Sequence, residues 1–324
     1  AFVQAPQVCY NQRTSFVASA AAEETYAYYS THHMASYGVG QSILVGSHSG
    51  QRIAALNEVG GFAAHDADDL LITMRYRAAG WQGVFVPEIL ALGLTPARWA
   101  DYLRQQLRWS RSVVDLKLQQ LPALANRLSP IEWLLNLFHG VFYLRSLVLP
   151  VLYALVATLI IVGSAPNYLK PTALRWIAAF SLFVGAVGRF RYRFYLDRAR
   201  ESAVPWRSLV LQLAKWPYQG QAVWAALTSR QVSYEITVKV HRGDDRRLAL
   251  WPHWVVATGM TVALILGYRI HGAVAFPLAV AAVAVIGFSI GAPLIEIATK
   301  APPAWDPTVY RDRRAELSDL LDPT

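Results

Sequence analysis

The sequence is 324 residues long, carries a formal net charge of +9, and is 54% hydrophobic but only 16% charged, which is too few charges for an ordinary soluble domain. Its single cysteine, Cys9, excludes a disulfide framework and a multi-cysteine zinc site. The basic residues lie beside apolar runs without a DNA- or RNA-binding motif, which favours membrane topology and lipid head groups over nucleic acid.

The first 130 residues have interleaved charges and predict an α/β fold. Helices that alternate with short buried strands are typical of a sheet covered by helices. The predicted strands are Phe2–Gln4, Ile43–Ser47 and Gly83–Pro87. The predicted helices are Ala20–Ser36, Arg52–Val59, which Gly60 and Gly61 close, and Asp68–Ala79, which Gly80 closes.

A longer helix is predicted from Pro96 to about Gln120. Apolar residues follow one stripe of it and arginines decorate the other faces, as in a helix at a membrane interface. An ordinary surface helix packed on the sheet remains the alternative. The interface is favoured because long apolar runs begin directly afterwards, from Ile131.

Four membrane spans are predicted, each near the ~20 apolar residues that cross a bilayer. They cover residues 137–163, 172–190, 249–270 and 273–297. Segment 205–228 is too polar for a free-standing span, and basic stretches flank it on both sides. Because basic flanks favour the cytoplasm, this segment is predicted to be interfacial or re-entrant, with residues 229–248 a cytosolic loop and residues 299–324 a cytosolic tail.

Several motifs occur in a fixed order before the spans. They are Gly60-Gly61-Phe62, Ala67-Asp68-Asp69, Gly80-Trp81, Val86-Pro87-Glu88 and Gln105-x-x-Arg108-Trp109. Each is short enough to arise by chance, but the ordered set is specific. It resembles the membrane-bound family-2 glycosyltransferases, which include cellulose, chitin and hyaluronan synthases. The resemblance implies a partial GT-A-like α/β domain over residues 1–95, an amphipathic helix over 96–130 and a helical membrane domain over 131–298.

By this resemblance Asp69 is the catalytic base and Asp68 a substrate-binding acid. A carboxylate at a helix N-terminus is held in place and kept ionised by the helix dipole. The alternative is that Asp66, Asp68 and Asp69 only cap the helix, and the flanking motifs favour catalysis for Asp69. Asp66-Ala67-Asp68 spells the family's metal-binding pattern, but in the family that pattern lies further upstream.

Three further predictions concern substrate binding. The resemblance implies that Gln105, Arg108 and Trp109 bind the nucleotide diphosphate and line the exit of the acceptor, although an Arg/Trp membrane anchor is the alternative. His48 lies where the family places a loop beside the acceptor. The segment Tyr234–Val240 resembles a gating loop through Tyr234, Thr237 and Lys239, but Val238 replaces the expected proline. The pair His32-His33 receives no role.

The first aspartate is Asp66, so the Mg²⁺ or Mn²⁺ ligands of the family have no counterpart in residues 1–65. We therefore expect a C-terminal fragment, inactive by itself, of an inverting hexosyltransferase. Its partners would be a nucleotide-sugar donor, a glycan or lipid acceptor and membrane lipids, with no nucleic acid. The catalytic part would lie on the cytoplasmic side of the inner or plasma membrane. An inactive binding subunit and a membrane transport component without chemistry are the alternatives.

Overall fold

The computed structural model describes residues 1–62, 64–164, 171–192, 205–228 and 249–299. Most of these residues are helical. The strands are β1 (Phe2–Gln4), β2 (Val8–Cys9), β3 (Ser49–Gln51), β4 (Gly83–Phe85) and β5 (Leu92–Gly93). The helices before the apolar segments are α1 (Phe16–Ala27), α2 (Met34–Gly38), α3 (Ile53–Glu58), α4 (Asp68–Ala78), α5 (Trp99–Asp115) and α6 (Leu121–Leu124).

The strands form two small sheets. In the first, β1 lies between β3, to which it is antiparallel, and β4, to which it is parallel. In the second, β2 pairs in parallel with β5. The ring of Phe2 packs so closely over Gly83 that a Cβ there would lie 2.1 Å from the ring. The strand predicted at 2–4 is present, and the strand predicted at 83–87 is present over Gly83–Phe85. The mixture of helices and short strands agrees with the predicted α/β class.

The strand predicted at Ile43–Ser47 was wrong. Leu44 is buried, but the segment is irregular because buried side chains, rather than a neighbouring strand, bind its backbone. The N–H of Leu44 donates to Thr73 Oγ1 (3.0 Å), and the N–H of Val45 donates to Gln4 Oε1 (2.8 Å). A left-handed φ of +66° at Gly46 then turns the chain. The adjacent strand is β3, which begins two residues beyond Ser47.

Two π-helical turns interrupt the predicted long helices. Tyr28–His33 joins α1 to α2, and Leu116–Gln120 joins α5 to α6. The helix predicted from Pro96 begins at Trp99, because Arg98 is still extended. π-helical turns are rare and often mark functional sites, because the extra residue in the turn redirects the side chains around it.

Four apolar helical segments long enough to cross a membrane occur within the described residues. They are Pro130–Val162, Thr172–Phe190, Trp251–His271 and Phe276–Ala298. Three of these are single helices, α9 (Pro171–Tyr192), α12 (Trp251–His271) and α13 (Phe276–Ala298). The segment Pro130–Val162 instead consists of α7 (Pro130–Phe138), a 3₁₀ turn and α8 (Arg145–Val162). The break occurs at Gly140, whose φ of +84° ends α7, so α8 begins eight residues after the predicted start of the first span.

Segment 205–228 forms two short helices rather than one, α10 (Trp206–Ala214) and α11 (Trp216–Leu227), with Lys215 between them. α10 packs on α1, and α11 packs on α5 and α8. Buried residues from α1, α5, α10 and α13 share one hydrophobic core. The segment thus lies between the strand-bearing part, residues 1–124, and the apolar helices.

Candidate functional site

The carboxylate of Asp69 lies in the first turn of α4, and Asp68 beside it is exposed. The N–H of Leu70 donates to Asp69 Oδ1 at 2.8 Å. Burial raises the pKa of Asp69 to about 6, with a smaller contribution from the charge of Asp68, and the Leu70 N–H opposes the shift. A carboxyl group with this pKa can accept and release a proton near neutral pH.

The turn at Gly46 faces this carboxylate. A Cβ added to Gly46 would lie 3.5 Å from Asp69 Oδ2, so the backbone of the turn approaches the acid closely. Buried Gln4 holds the turn, because its amide nitrogen donates to the carbonyl oxygens of Ser47 (2.8 Å) and His48 (3.3 Å). Thr73 connects α4 to the segment before the turn at Gly46. Its hydroxyl donates to the Asp69 carbonyl at 2.8 Å and accepts from the N–H of Leu44.

His48 adopts a left-handed backbone conformation (φ +56°), which is uncommon for a residue with a side chain. Its carbonyl accepts from the N–H of Ala5 at 2.9 Å. Its ring lies toward β5, with Cε1 3.4 Å from where a Cβ on Gly93 would be. The loop that carries His48 is thus adjacent to Asp69, and contact of His48 with an acceptor sugar stays a prediction.

Two tyrosines near Asp69 carried no signal in the sequence. Burial raises the pKa values of Tyr28 and Tyr29 above their usual range, and the nearby charge of Asp69 raises both further. The Tyr29 hydroxyl is buried and forms no hydrogen bond to any described residue. Both residues lie in the π-helical turn after α1, so only the folded chain brings them to the acid.

His65, in the loop that precedes α4, connects that loop to the C-terminal end of α5. The N–H of Ala67 donates to His65 Nδ1 at 2.9 Å, which leaves the proton on Nε2. Nε2 lies 3.3 Å from Asp115 Oδ2, and both side chains are nearly buried. Because Arg108 lies seven residues before Asp115 on the same helix, the two share a face about 10 Å apart along the axis.

On α5, Gln105 is buried, Arg108 is half-buried and the Trp109 side chain is 43% exposed. The exposure of Trp109 leaves its ring available to a sugar or to lipid. The contact between His65 and Asp115 brings the start of α4 to the far end of the same helix. That Arg108 and Trp109 adjoin Asp69 stays a prediction.

No group of three or more His, Cys, Asp or Glu side chains that could hold a metal ion occurs in the described part of the chain. Asp66 and Asp68 are both exposed and form no such group. The predicted gating residues Tyr234, Thr237 and Lys239 lie outside the described residues.

Three relatives resemble parts of the chain. A protein named "Probable glucomannan 4-beta-mannosyltransferase 4" from Oryza sativa subsp. japonica is 28% identical over 103 residues, which are 31% of this chain and 19% of that protein. An "N-acetylglucosaminyltransferase" from Neorhizobium galegae is 42% identical over 57 residues, 18% of this chain and 13% of the relative. An "N-acetylglucosaminyltransferase" from Rhizobium sp. (strain N33) is 30% identical over 134 residues, 36% of this chain and 28% of the relative.

The matched segments therefore span less than a third of the length of each of these curated relatives. The family match is broader than any of them. Residues 1–290 match the family described as "Glycosyl transferase family group 2", and this match includes both the strand-bearing part and the apolar helices. The chain belongs to the family-2 glycosyltransferases.

Proposed function

We propose that this chain carries the catalytic-base end of an inverting glycosyltransferase that transfers a hexose from a nucleotide-sugar to a hydroxyl acceptor at the membrane. The observation that carries the proposal is the environment of Asp69. Its carboxylate is mostly buried in the first turn of α4, has a pKa of about 6, and faces the turn at Gly46, where an added Cβ would lie 3.5 Å from Oδ2. A carboxylate that only caps a helix needs neither this burial nor a second backbone segment, here the turn at Gly46, close to its oxygen atoms.

The proposed reaction is a direct displacement. Asp69 accepts the proton of the acceptor hydroxyl while the hydroxyl oxygen bonds to the anomeric carbon of the donor. The bond from that carbon to the diphosphate breaks on the opposite face, so the configuration inverts and the electron pair leaves with the diphosphate. A base with a pKa of about 6 is ionised at neutral pH, so turnover should fall as the pH drops through 6.

Arg108 is the proposed contact of the leaving diphosphate, because a guanidinium offers planar, charge-assisted donors to phosphate oxygens. Trp109 is the proposed stacking surface for a sugar ring, and its exposed side chain is consistent with that role. A divalent ion would stabilise the departing charge. The described residues do not supply a ligand set for that ion, and its binding by sequence outside this chain stays a prediction.

The acceptor is proposed to be a growing polysaccharide or a glycolipid that meets the membrane. Four apolar helices within the described residues support this location, and three relatives named as transferases of mannose or N-acetylglucosamine support a hexose donor. The basic segments around residues 189–200 and 241–247 favour a cytoplasmic position for the catalytic part.

The test is turnover in membranes that contain the parent protein, with labelled UDP- and GDP-sugars that include N-acetylglucosamine and mannose. Asp69→Asn should lower transfer by about two to four orders of magnitude while donor binding persists, because only the base is lost. Asp66→Asn changes an exposed carboxylate in the same loop and should leave transfer near normal.

Near-normal transfer by Asp69→Asn would refute the assignment of the base. Failure of the unmodified parent protein to transfer any sugar while it still binds donor would favour an inactive binding subunit. Residues 1–324 alone should neither transfer nor hydrolyse these donors with Mg²⁺ or Mn²⁺, and metal-dependent turnover by them would overturn the prediction that the metal site lies elsewhere.

A further inference from the structure

A cavity of about 200 Å³ lies along the face of α4 next to Asp69, and none of the described residues predicted for the catalytic site lines it. α4 contributes Leu70, Thr73 and Met74 to its wall. The proposed catalytic site lies at the start of α4, whereas the cavity extends along the stripe that follows it. Pockets for drug-sized ligands usually exceed ~300 Å³, so this cavity fits one small polar group rather than a nucleotide-sugar.

The ionisable side chains that line the cavity are all basic, and two of them, Arg77 and Lys117, are cations at neutral pH. The other two are the imidazoles of His32 and His139, and among the described residues no Asp or Glu lines the cavity. The rings of His32 and His139 are 5.9 Å apart. The charge of Glu132 acts on Arg77, but the Glu132 carboxylate accepts hydrogen bonds from the backbone N–H and the hydroxyl of Ser129 at 2.9 and 2.8 Å.

Lys117 is the strongest pointer to an anionic ligand. Its side chain is half-buried and has no carboxylate partner within the described part of the chain. Burial lowers the pKa of Lys117 to about 8, so the lysine is still charged at neutral pH. Two cations that line one cavity without a carboxylate favour an anionic ligand, because charges removed from water are ordinarily paired.

Both π-helical turns of the described residues contribute a side chain to the wall of this cavity. His32 comes from Tyr28–His33 and Lys117 from Leu116–Gln120. A π-helical turn costs regular hydrogen bonds and is commonly retained where a side chain must point in a particular direction. Two such turns, some eighty residues apart, thus direct basic side chains to one cavity, which is a second observation beside its charge.

An apolar stripe leads out of the cavity along α7. Ile131, Leu134, Leu135 and Phe138 follow the i, i+3, i+4, i+7 spacing of one helix face, and all four are exposed. Leu135 and Phe138 also line the cavity. Since α7 opens the first apolar segment, Pro130–Val162, the stripe lies where the chain would enter the hydrocarbon region.

We propose that this cavity binds the phosphate of an anionic phospholipid, whose acyl chains lie along the α7 stripe. The ligand must have an anionic head of about the size of a phosphate and an apolar tail beside it. A free phosphate would satisfy Lys117 and Arg77 but would leave the stripe exposed. A second copy of this chain would cover the stripe but would need an acidic side chain to enter the cavity.

The experiment is native mass spectrometry of the purified chain in neutral detergent, titrated with phosphatidylglycerol or with phosphatidylcholine. One phosphatidylglycerol should be retained about tenfold more tightly than phosphatidylcholine. Lys117→Met should weaken its retention by about tenfold, because a charge-assisted hydrogen bond is lost. Arg127→Met removes the same charge from an exposed residue ten positions later that does not line the cavity, and should have no effect.

Equal retention of the two lipids, or equal weakening by Lys117→Met and Arg127→Met, would overturn the proposal, since both indicate diffuse surface attraction. If the protein retained inorganic phosphate as tightly as phosphatidylglycerol, the bound anion would not need to come from a lipid, and the lipid proposal would be overturned. A dimer in lipid-free detergent that Phe138→Ser abolishes would show that a second copy covers the stripe. If Lys117→Met does not fold, Lys117→Gln tests the same charge.

Discussion

The strand-bearing part and the apolar helices satisfy their polar groups in opposite ways. Around Asp69, the buried side chains of Gln4 and Thr73 form hydrogen bonds with backbone groups that no strand or helix binds. In α9, by contrast, the backbone is bonded within the helix and the side chains face outward, with Trp176 78% exposed. The first arrangement fixes the position of a reactive group, whereas the second requires an apolar surrounding.

A buried charged junction connects these two regions. Glu23 and Glu24 of α1 bind Arg207 and Lys215 of segment 205–228. The Lys215 ammonium also donates to Tyr102 Oη (3.1 Å) and Gln106 Oε1 (3.0 Å), both on α5. The burial of Lys215 lowers its pKa, and Glu24 opposes that shift. Substitutions that remove a buried charge from this junction are therefore predicted to lower the free energy of unfolding more than substitutions in either region.

The largest expected effect on stability is that of Lys215→Met. It leaves Glu24 partly buried without its counter-charge, which should cost about 3–5 kcal/mol of unfolding free energy. The measurement is the thermal midpoint in detergent. Arg207→Met is the comparison variant. Arg207 is 38% exposed, and the buried Glu23 that it binds at 2.9 Å still accepts from the N–H of Ser208 (3.2 Å), so the loss should be smaller.

Adding Glu24→Gln to Lys215→Met should restore part of the loss, because the uncompensated charge is then removed. Equal losses for Lys215→Met and Arg207→Met would contradict a special role of the buried Lys215 within the junction.

The next effect concerns Asp69 and depends on pH. Because the folded protein raises the pKa of Asp69 from 3.8 to about 6, protonated Asp69 favours folding, and this stability is present below pH 4 and lost as the pH rises through 6. Asp69→Asn should therefore be more stable than the natural protein at pH 8, by an amount on the order of 2 kcal/mol.

The gain should shrink between pH 6 and pH 4, as followed by thermal midpoints at pH 4, 6 and 8. Asp66→Asn, at an exposed carboxylate, should show no such trend. A gain for Asp69→Asn that does not change with pH would mean that Asp69 is not buried in the way described.

The smallest expected effect separates backbone strain from contact with the acid. Gly46 and Gly40 both have left-handed φ angles, +66° and +74°, so alanine at either position should cost about 1 kcal/mol of stability. Only at Gly46 would the new Cβ meet Asp69, whereas nothing lies within 4 Å of a Cβ at Gly40.

Gly46→Ala should therefore lower sugar transfer by the parent protein, and Gly40→Ala should not. Transfer assays at matched amounts of folded protein provide the check. Equal activity of the two variants would contradict a role for the Gly46 turn in positioning Asp69.

What the sequence by itself determined are the features set by local pattern. Continuous apolar runs predict the four apolar helical segments. Glycines that follow α3 and α4, Gly60 and Gly80, have left-handed φ angles, and the order of short motifs indicates the family. These features depend on a few neighbouring residues, so no distant contact is needed to infer them. The same reasoning misled at Ile43–Ser47, whose apolar pattern is that of a strand.

Only the tertiary structure decided which distant side chains meet. Gln4 replaces a strand partner for residues 45–48, Tyr28 and Tyr29 lie near Asp69, and Lys215 reaches α1 and α5. The cavity beside α4 likewise combines His32 with Lys117, from two π-helical turns far apart in the chain. Such contacts depend on the packing of whole helices, and the local sequence of a glutamine, a tyrosine or a lysine does not encode its distant partner.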